Sequence, residues 1–262
     1  MKISVITVNF NNKDGLKLTL DSVEKQSCED YEVIVVDGAS TDGSALVVEE
    51  YANRNSWLRY VSEKDKGIYN AMNKGIDMSK GEYLIFMNSG DSFYDDKTME
   101  LSEPYLDGNI DIVSGIAVSA NYIMMPVKPQ DLSLSFFLKS SMNHQSTFIK
   151  RSLMLEYHYN ENYRIAGDTE FFVKAMILGG CSYKDIPIKV SYCEVAGISG
   201  NIKESLIERY EAIKKLLPER MSNDVDFIIK YSNPVMICIG NLLYNEIFRF
   251  LYDKVVRRGR RI

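Results

Sequence analysis

Asp91 closes the tetrapeptide Asn88-Ser89-Gly90-Asp91, which follows the apolar run YLIFM at residues 83–87. The run is aromatic and β-branched, without polar interruption, and its length suits a strand buried on both faces. A carboxylate at the C-terminal end of such a strand stands where open α/β sheets bind ligands. It is available to a hard divalent cation, and such a cation neutralises phosphate oxygens. Taken alone, the tetrapeptide is an ordinary turn. The rest of the chain must decide between the two.

Asp37 offers a second chemistry. It ends another apolar run and opens the loop DGASTDGS, residues 37–44. A carboxylate there can accept a hydrogen bond from a base imide or a ribose hydroxyl. Lys64 and Lys66, in the loop SEKDKG, can meet phosphate. Base or ribose, phosphate and metal together describe a nucleotide diphosphate.

The elements that must position these residues alternate. Residues 2–8, 31–36, 57–61 and 82–87 read as strands. Between them, helices are expected at about 14–26, with Asp14 as its cap, at 45–53 and at 68–78. Strand and helix in alternation predict an α/β fold with a mostly parallel, Rossmann-like central sheet. The polar clusters at 7–12, 37–44, 62–67 and 88–91 all follow strands, so the sheet gathers them along one edge. There is no GxGxxG after the first strand and no GxxxxGK[ST], which disfavours a dinucleotide site and a P-loop.

Composition narrows the class. A net charge of −5 argues against a nucleic-acid binder. Cys28, Cys181, Cys193 and Cys238 form no CxxC pair, and with only His144 and His158 to help, a structural zinc site is not expected. The N-terminal apolar run is too short for a signal-peptide core, and no stretch of about 20 apolar residues exists. The expected location is cytoplasmic.

The residues now support a resemblance. SVITVNFNN (4–12), VIVVDGASTDGS (33–44), SEKDKGIYNAMNKGI (62–76) and GEYLIFMNSGD (81–91) resemble the family 2 glycosyltransferases, which have the A-type glycosyltransferase fold. The likeness continues more weakly through NHQSTFIKR (143–151) and GDTEFFVKA (167–175) and covers about residues 1–195. The third string is most like the subgroup that builds bacterial capsules and exopolysaccharides.

The resemblance implies inverting transfer of a sugar from a nucleotide diphosphate sugar to a glycan or lipid-linked acceptor, with Mn2+ or Mg2+ as cofactor. It places Thr7, Asn9 and Asp37 at nucleoside-binding positions, and Asp65 and Asn70 in the motif that contacts the nucleotide sugar. Asp91 matches the last Asp of the metal-binding motif. Asn88 stands where many members carry Asp; with Ser89 it can hydrogen-bond a sugar or ribose hydroxyl, but it is a poorer metal ligand. His144 and Gln145 fall beside the acceptor or the diphosphate.

Inversion needs a carboxylate to take the acceptor's proton. The chain offers Asp168 and Glu170 in AGDTEFF. Asp168 matches the Asp of the family's Glu-Asp motif, the base, although Gly167 replaces the Glu. Its plain alternative is a helix N-cap. Glu170 is grouped with His144 and Gln145 as an acceptor or diphosphate contact. Asp111 reads as the start of a strand. The glycine-rich loop at 197–200, after a late strand ending near Tyr192-Cys193-Glu194, is either a lid or a linker.

The expected domains are a catalytic one at 1–200, with a donor half at 1–91 and an acceptor half at 92–200, and a helical appendage at 201–262. In the appendage, residues 202–217 are periodic and Pro218 ends the helix. A second apolar helix begins at Pro234 and ends in Lys254, Arg257, Arg258, Arg260 and Arg261. It either lies on anionic lipid, at the inner face of the cell membrane, or packs on protein with a solvated tail. Two rival functions stay open: a sugar nucleotidyltransferase, whose Gly-rich basic loop residues 9–13 lack, and a non-catalytic scaffold, against which Asp91 and Asp168 both count.

Overall fold

The computed structural model describes residues 1–193 and 202–231. The first elements are β1 (Ile3–Asn9), α1 (Lys13–Glu24), β2 (Tyr31–Asp37), α2 (Ser44–Arg54), β3 (Leu58–Ser62), α3 (Ile68–Met78) and β4 (Tyr83–Phe86). Then follow β5 (Ser92–Phe93), α4 (Thr98–Ser102), β6 (Ile112–Val118), β7 (Ile123–Met124), α5 (Leu134–Lys139), β8 (Thr147–Lys150) and α6 (Arg151–Tyr157). The last are α7 (Gly167–Phe172), β9 (Tyr183–Tyr192), α8 (Ile202–Leu216) and α9 (Glu219–Tyr231).

Among the described residues one nine-stranded sheet runs β3-β2-β1-β4-β8-β6-β9-β5, with β7 on β6. The first four strands are parallel, as their apolar runs predict. Every residue of β1 and β2 is buried, because helices cover both faces. Beyond β4 the sheet is mixed: β8 runs antiparallel to β4 and β6, while β9 is parallel to β6. The parallel reading therefore holds for the first half and not for the second.

Local chemistry sets the boundaries. Asn12, not Asp14, caps α1, its side chain accepting from the Gly15 N–H at 3.1 Å. Leu16, Leu20 and Val23 bury one face of that helix, and Thr19 shares it. Asp111 precedes β6 and is bonded by the Ser182 N–H and hydroxyl. After α7 the helix widens into a π-turn at Val173–Leu178. Cys28 and Cys193 are buried free thiols and Cys181 is half-buried.

The chain divides into two compact units, Met1–Ile213 and Lys214–Ile262. The first unit runs past residue 200, so most of α8 belongs with it. The loop at 197–200, Glu194, Cys238 and the apolar helix with its basic tail lie outside the described residues. Among the described residues no helix is long and apolar enough to cross a membrane.

Candidate active site

The donor edge is built by register. Asn9 pairs with Asp37 across β1 and β2, and Asp37 pairs with Ser62 across β2 and β3. Asp37 is fully buried and takes bonds from Asn9 Nδ2 at 2.7 Å, Ser62 Oγ at 2.6 Å, and the Ser40 N–H and hydroxyl. Burial alone would raise this carboxyl; the hydrogen bonds from Ser40, Ser62 and Asn9 outweigh burial and hold it below the usual carboxylate value. Ala39 turns the chain at φ 59°, a strained value for a residue with a Cβ. Asp37 thus organises the edge around itself. Thr7 Oγ1, Asn9 Oδ1, Asn88 Oδ1 and Ser89 Oγ are buried there without hydrogen-bond partners among the described residues. Native folds rarely leave such atoms unless a ligand or water meets them.

The loop carrying Asp91 is bolted to α1. Thr19 Oγ1 lies 2.6 Å from the Asp91 carbonyl and accepts from the Gly90 N–H at 3.1 Å. Asn12 Nδ2 donates to the Ser89 carbonyl at 3.0 Å. Gly90 adopts φ 104°, open to glycine without strain. Thr19 escapes sequence reasoning, although a threonine on the apolar stripe of α1 is a signal.

A cavity of about 520 Å³ opens beyond this loop. From the donor half Asn88, Ser89 and Asp91 line it. From the second half His144, Gln145 and Asp168 line it, joined by Tyr69, Thr169, Ser205 and Arg209. Gln145 Nε2 donates to Asp91 Oδ2 at 3.3 Å. His144 and Gln145 sit on a 3-10 turn, His144–Ser146, which leads into β8. The antiparallel placement of β8 beside β4 brings this turn to the donor edge.

Asp168 lies within the first turn of α7 rather than ahead of it. Its Oδ1 accepts from the Thr169 N–H at 2.6 Å, and no side chain caps α7. Glu208 of α8 instead ties down the loop just ahead of α7, accepting from the N–H groups of Arg164, Ile165 and Ala166 at 2.8, 2.5 and 2.8 Å. Asp168 Oδ2 is left facing the cavity side, toward His144.

Other expected residues stand apart from the cavity. Asp65 pairs with Lys74 Nζ at 2.6 Å, and Asn70 Nδ2 donates to Glu161 at 2.9 Å. Lys64 and Lys66 are exposed on their loop. Glu170 is buried and directs Oε1 to Lys174 at 2.9 Å and Asn160 at 3.2 Å. His158 pairs with Asp77. Tyr69 falls inside the string at 62–76 without being singled out there, and Glu208 and Arg209 carry no motif signal in the sequence.

A divalent cation is tested by the donor set. Among the described residues no three His, Cys, Asp or Glu side chains cluster for a metal. Mg2+ and similar ions are nevertheless commonly held by one or two carboxylates plus substrate phosphates. Asp91, 6% exposed at the cavity, fits that shared mode.

The sheet, with its gathered loops and two carboxylates facing one cleft, defines an A-type glycosyltransferase fold. The family model of Glycosyl transferase family 2 matches residues 4–172, and the chain belongs to this family. A PGL/p-HBAD biosynthesis glycosyltransferase of Mycobacterium tuberculosis is 29% identical over 204 residues, 76% of this chain and 79% of its own. The crystal structure of S. aureus TarS 1-349 superposes with a TM-score of 0.68 at 19% identity, covering 89% of this chain and 73% of that one. A mannosyltransferase from Pyrobaculum calidifontis, solved with GDP-Man and Mn2+, gives 0.65 at 19% identity, covering 88% and 69%.

Proposed function

We propose that this glycosyltransferase moves a sugar, with inversion, from a nucleotide diphosphate sugar, most simply a UDP-sugar, to a hydroxyl of a glycan or lipid-linked glycan in surface polysaccharide synthesis. The observation that carries the reading is the shared cavity: Asp91 from the donor half and Asp168 from the second half line one space of about 520 Å³. The volume suits a sugar and its flanking groups.

In this reading Thr7, Asn9 and Asp37 form the nucleoside corner, and Asn88 and Ser89 meet ribose or sugar hydroxyls. Asp65 and Asn70 border the nucleotide sugar through the loop they brace. The acceptor oxygen attacks the anomeric carbon. The bond to the leaving phosphate oxygen breaks, its electron pair departing on that oxygen. Asp168 takes the acceptor's proton. His144 orients Asp168, and Gln145 holds the Asp91 carboxylate. Asp91 would hold Mn2+ or Mg2+, which when bound supplies positive charge to the leaving diphosphate. Glu170 supports α7 from behind. The likeness to a protein solved with GDP-Man and Mn2+ supports a metal-assisted nucleotide-sugar donor.

The rim of the cavity favours an acceptor with an apolar part. Tyr122 and Met124 of the β6–β7 hairpin line it, and Tyr122, Ile123 and Met125 are exposed. Such a patch beside a site fits a lipid-linked acceptor and peripheral contact with a membrane.

Calorimetric titration with UDP and GDP, with and without Mn2+, tests the donor half. Wild type is expected to bind UDP in a Mn2+-dependent manner, and Asp91→Ala to lose that dependence. A well-folded wild type that binds neither nucleotide would remove the transferase mechanism drawn here and favour a scaffold.

A further inference from the structure

Arg209 is a half-buried cation of α8 that makes no ion pair among the described residues. It lines the cavity with Asp91, His144 and Asp168. Its Nε is buried and makes no hydrogen bond. Among the described residues no carboxylate forms a salt bridge with it. The adjacent carboxylate in sequence, Glu208, accepts instead from the three N–H groups of residues 164–166. Ser205, one turn earlier on the same face of α8, also lines the cavity.

A half-buried guanidinium whose Nε finds no hydrogen-bond partner among the described residues is costly, and such groups are retained where an anion comes to meet them. Burial presses the Arg209 pKa down while the charge of Asp168 draws it back up, but the group stays cationic. Lys139 and Arg164 also line the cavity, yet both are exposed to water and fit a screening role. Arg209 is the shielded one, and its helix is tied through Glu208 to the loop just before Asp168. Its position is therefore set relative to the proposed base.

We propose that Arg209 is a phosphate-binding residue of this cavity, which receives the diphosphate of the leaving nucleotide. The inference rests on the donor reading above and deepens it. Negative charge grows on the leaving phosphate oxygen as the glycosidic bond breaks. A guanidinium already positioned in a partly desolvated site stabilises that charge with little reorganisation. Asn88, standing where a second carboxylate would strengthen a metal site, makes such a fixed cation more valuable to this chain.

The test uses the full chain as wild type, Arg209→Ala and Arg209→Lys, titrated with UDP, UMP and uridine by calorimetry, with melting curves alongside. Arg209→Ala is expected to weaken UDP about tenfold or more, UMP less, and uridine not at all, with Arg209→Lys recovering part of the loss. Unchanged UDP affinity in Arg209→Ala, while wild type binds UDP, would overturn this proposal and leave the donor reading standing. So would equal losses for UDP and uridine, which would mark a structural role. A change confined to the acceptor KM would assign the anion to the acceptor and overturn it too. Wild type that binds no nucleotide would overturn the donor reading, and this proposal with it.

Discussion

His144 Nδ1 lies 3.6 Å from Asp168 Oδ2, and the other nitrogen of the same ring lies 3.4 Å from Asn88 Nδ2. One imidazole therefore bridges the proposed base and the end of the donor strand. Phe86 meets the ring edge-on, with centroids 6.2 Å apart. The first distance is longer than a good hydrogen bond, as catalytic pairs often are without substrate. A ring held on both sides can orient Asp168. His144→Ala is expected to lower kcat about ten- to a hundredfold, with donor KM nearly unchanged. Steady-state kinetics with each substrate varied would check this; a rise in acceptor KM alone would make His144 an acceptor contact instead.

Asp168→Asn keeps shape and loses the proton-accepting charge. General-base catalysis contributes about 10²–10⁴-fold, so kcat should fall within that range. UDP affinity should stay within about twofold, because the residue faces the acceptor side in this reading. Parallel titration and turnover measurements separate the two. Loss of UDP binding together with activity would instead place Asp168 in the donor site.

Asn88→Asp adds a carboxylate three residues before Asp91. Ligand charge tunes the affinity of hard cations, so Mn2+ binding should tighten severalfold. Asn88 also neighbours His144, so kcat should fall even as metal affinity rises. Direct Mn2+ titration by magnetic resonance reads the first effect without relying on activity. No gain in affinity would mean that Asp91 and residue 88 do not share an ion.

Much of the donor half is legible because its strands are buried on both faces and pair in a simple parallel order. An apolar run such as residues 83–87 carries its own meaning. The second half depends on pairings between distant segments: β8 inserts between β4 and β6, and no local pattern announces that. The 3-10 turn carrying His144 is aimed by this insertion. Arg209 is invisible for a different reason. On α8 it reads as an ordinary solvated charge, and only the capture of Glu208 by residues 164–166 shows which way the helix faces. Asp14 fails as a cap because Asn12, two residues earlier, meets the Gly15 N–H first.

Acid stability should depend on the carboxylates of β2. Asp37 and Glu32 are both buried and both held below their ordinary values: burial works to raise them, and hydrogen bonds outweigh it, from Ser40, Ser62 and Asn9 for Asp37 and from Arg59, Ser4 and Lys80 for Glu32. A group held low in the fold binds its proton more weakly there than in the unfolded chain. Its contribution is complete above the unfolded value, about 3.9 for Asp and about 4.3 for Glu, and is lost as pH falls through the lower folded value. Urea denaturation from pH 7 to pH 3 should show stability falling steeply below about pH 4. Asp37→Asn should be less stable at pH 7 and show a shallower acid loss. An unchanged slope in that variant would mean Asp37 does not titrate in this window.

By resemblance Gly167 stands where the family's motif carries Glu, and here the packing leaves no room for a side chain. A Cβ built on Gly167 would stand 2.7–2.8 Å from three ring atoms of Tyr69. That ring is buried, 5% exposed, and cannot swing aside like the end of a flexible chain. Its hydroxyl donates to the Ile165 carbonyl at 2.6 Å and lies 3.5 Å from Asp168 Oδ1. Tyr69 thus fills the space of the missing side chain and steadies the turn that presents Asp168. Gly167→Ala should force the ring or α7 to move, costing about 1–3 kcal/mol, the usual range for overpacking. In a chain of this size each kcal/mol lowers Tm by about 2–4 °C. Activity should fall further than stability alone explains, because Asp168 moves with the turn. Shrinking the ring in a Gly167→Ala/Tyr69→Ala pair should recover stability relative to the sum of the single changes but not activity, since the hydroxyl is gone. Thermal melts and kcat for the four members of the cycle test both halves. Strictly additive melting shifts would show that the two residues do not compete for this space, and the substitution at 167 would then lack a packing cause.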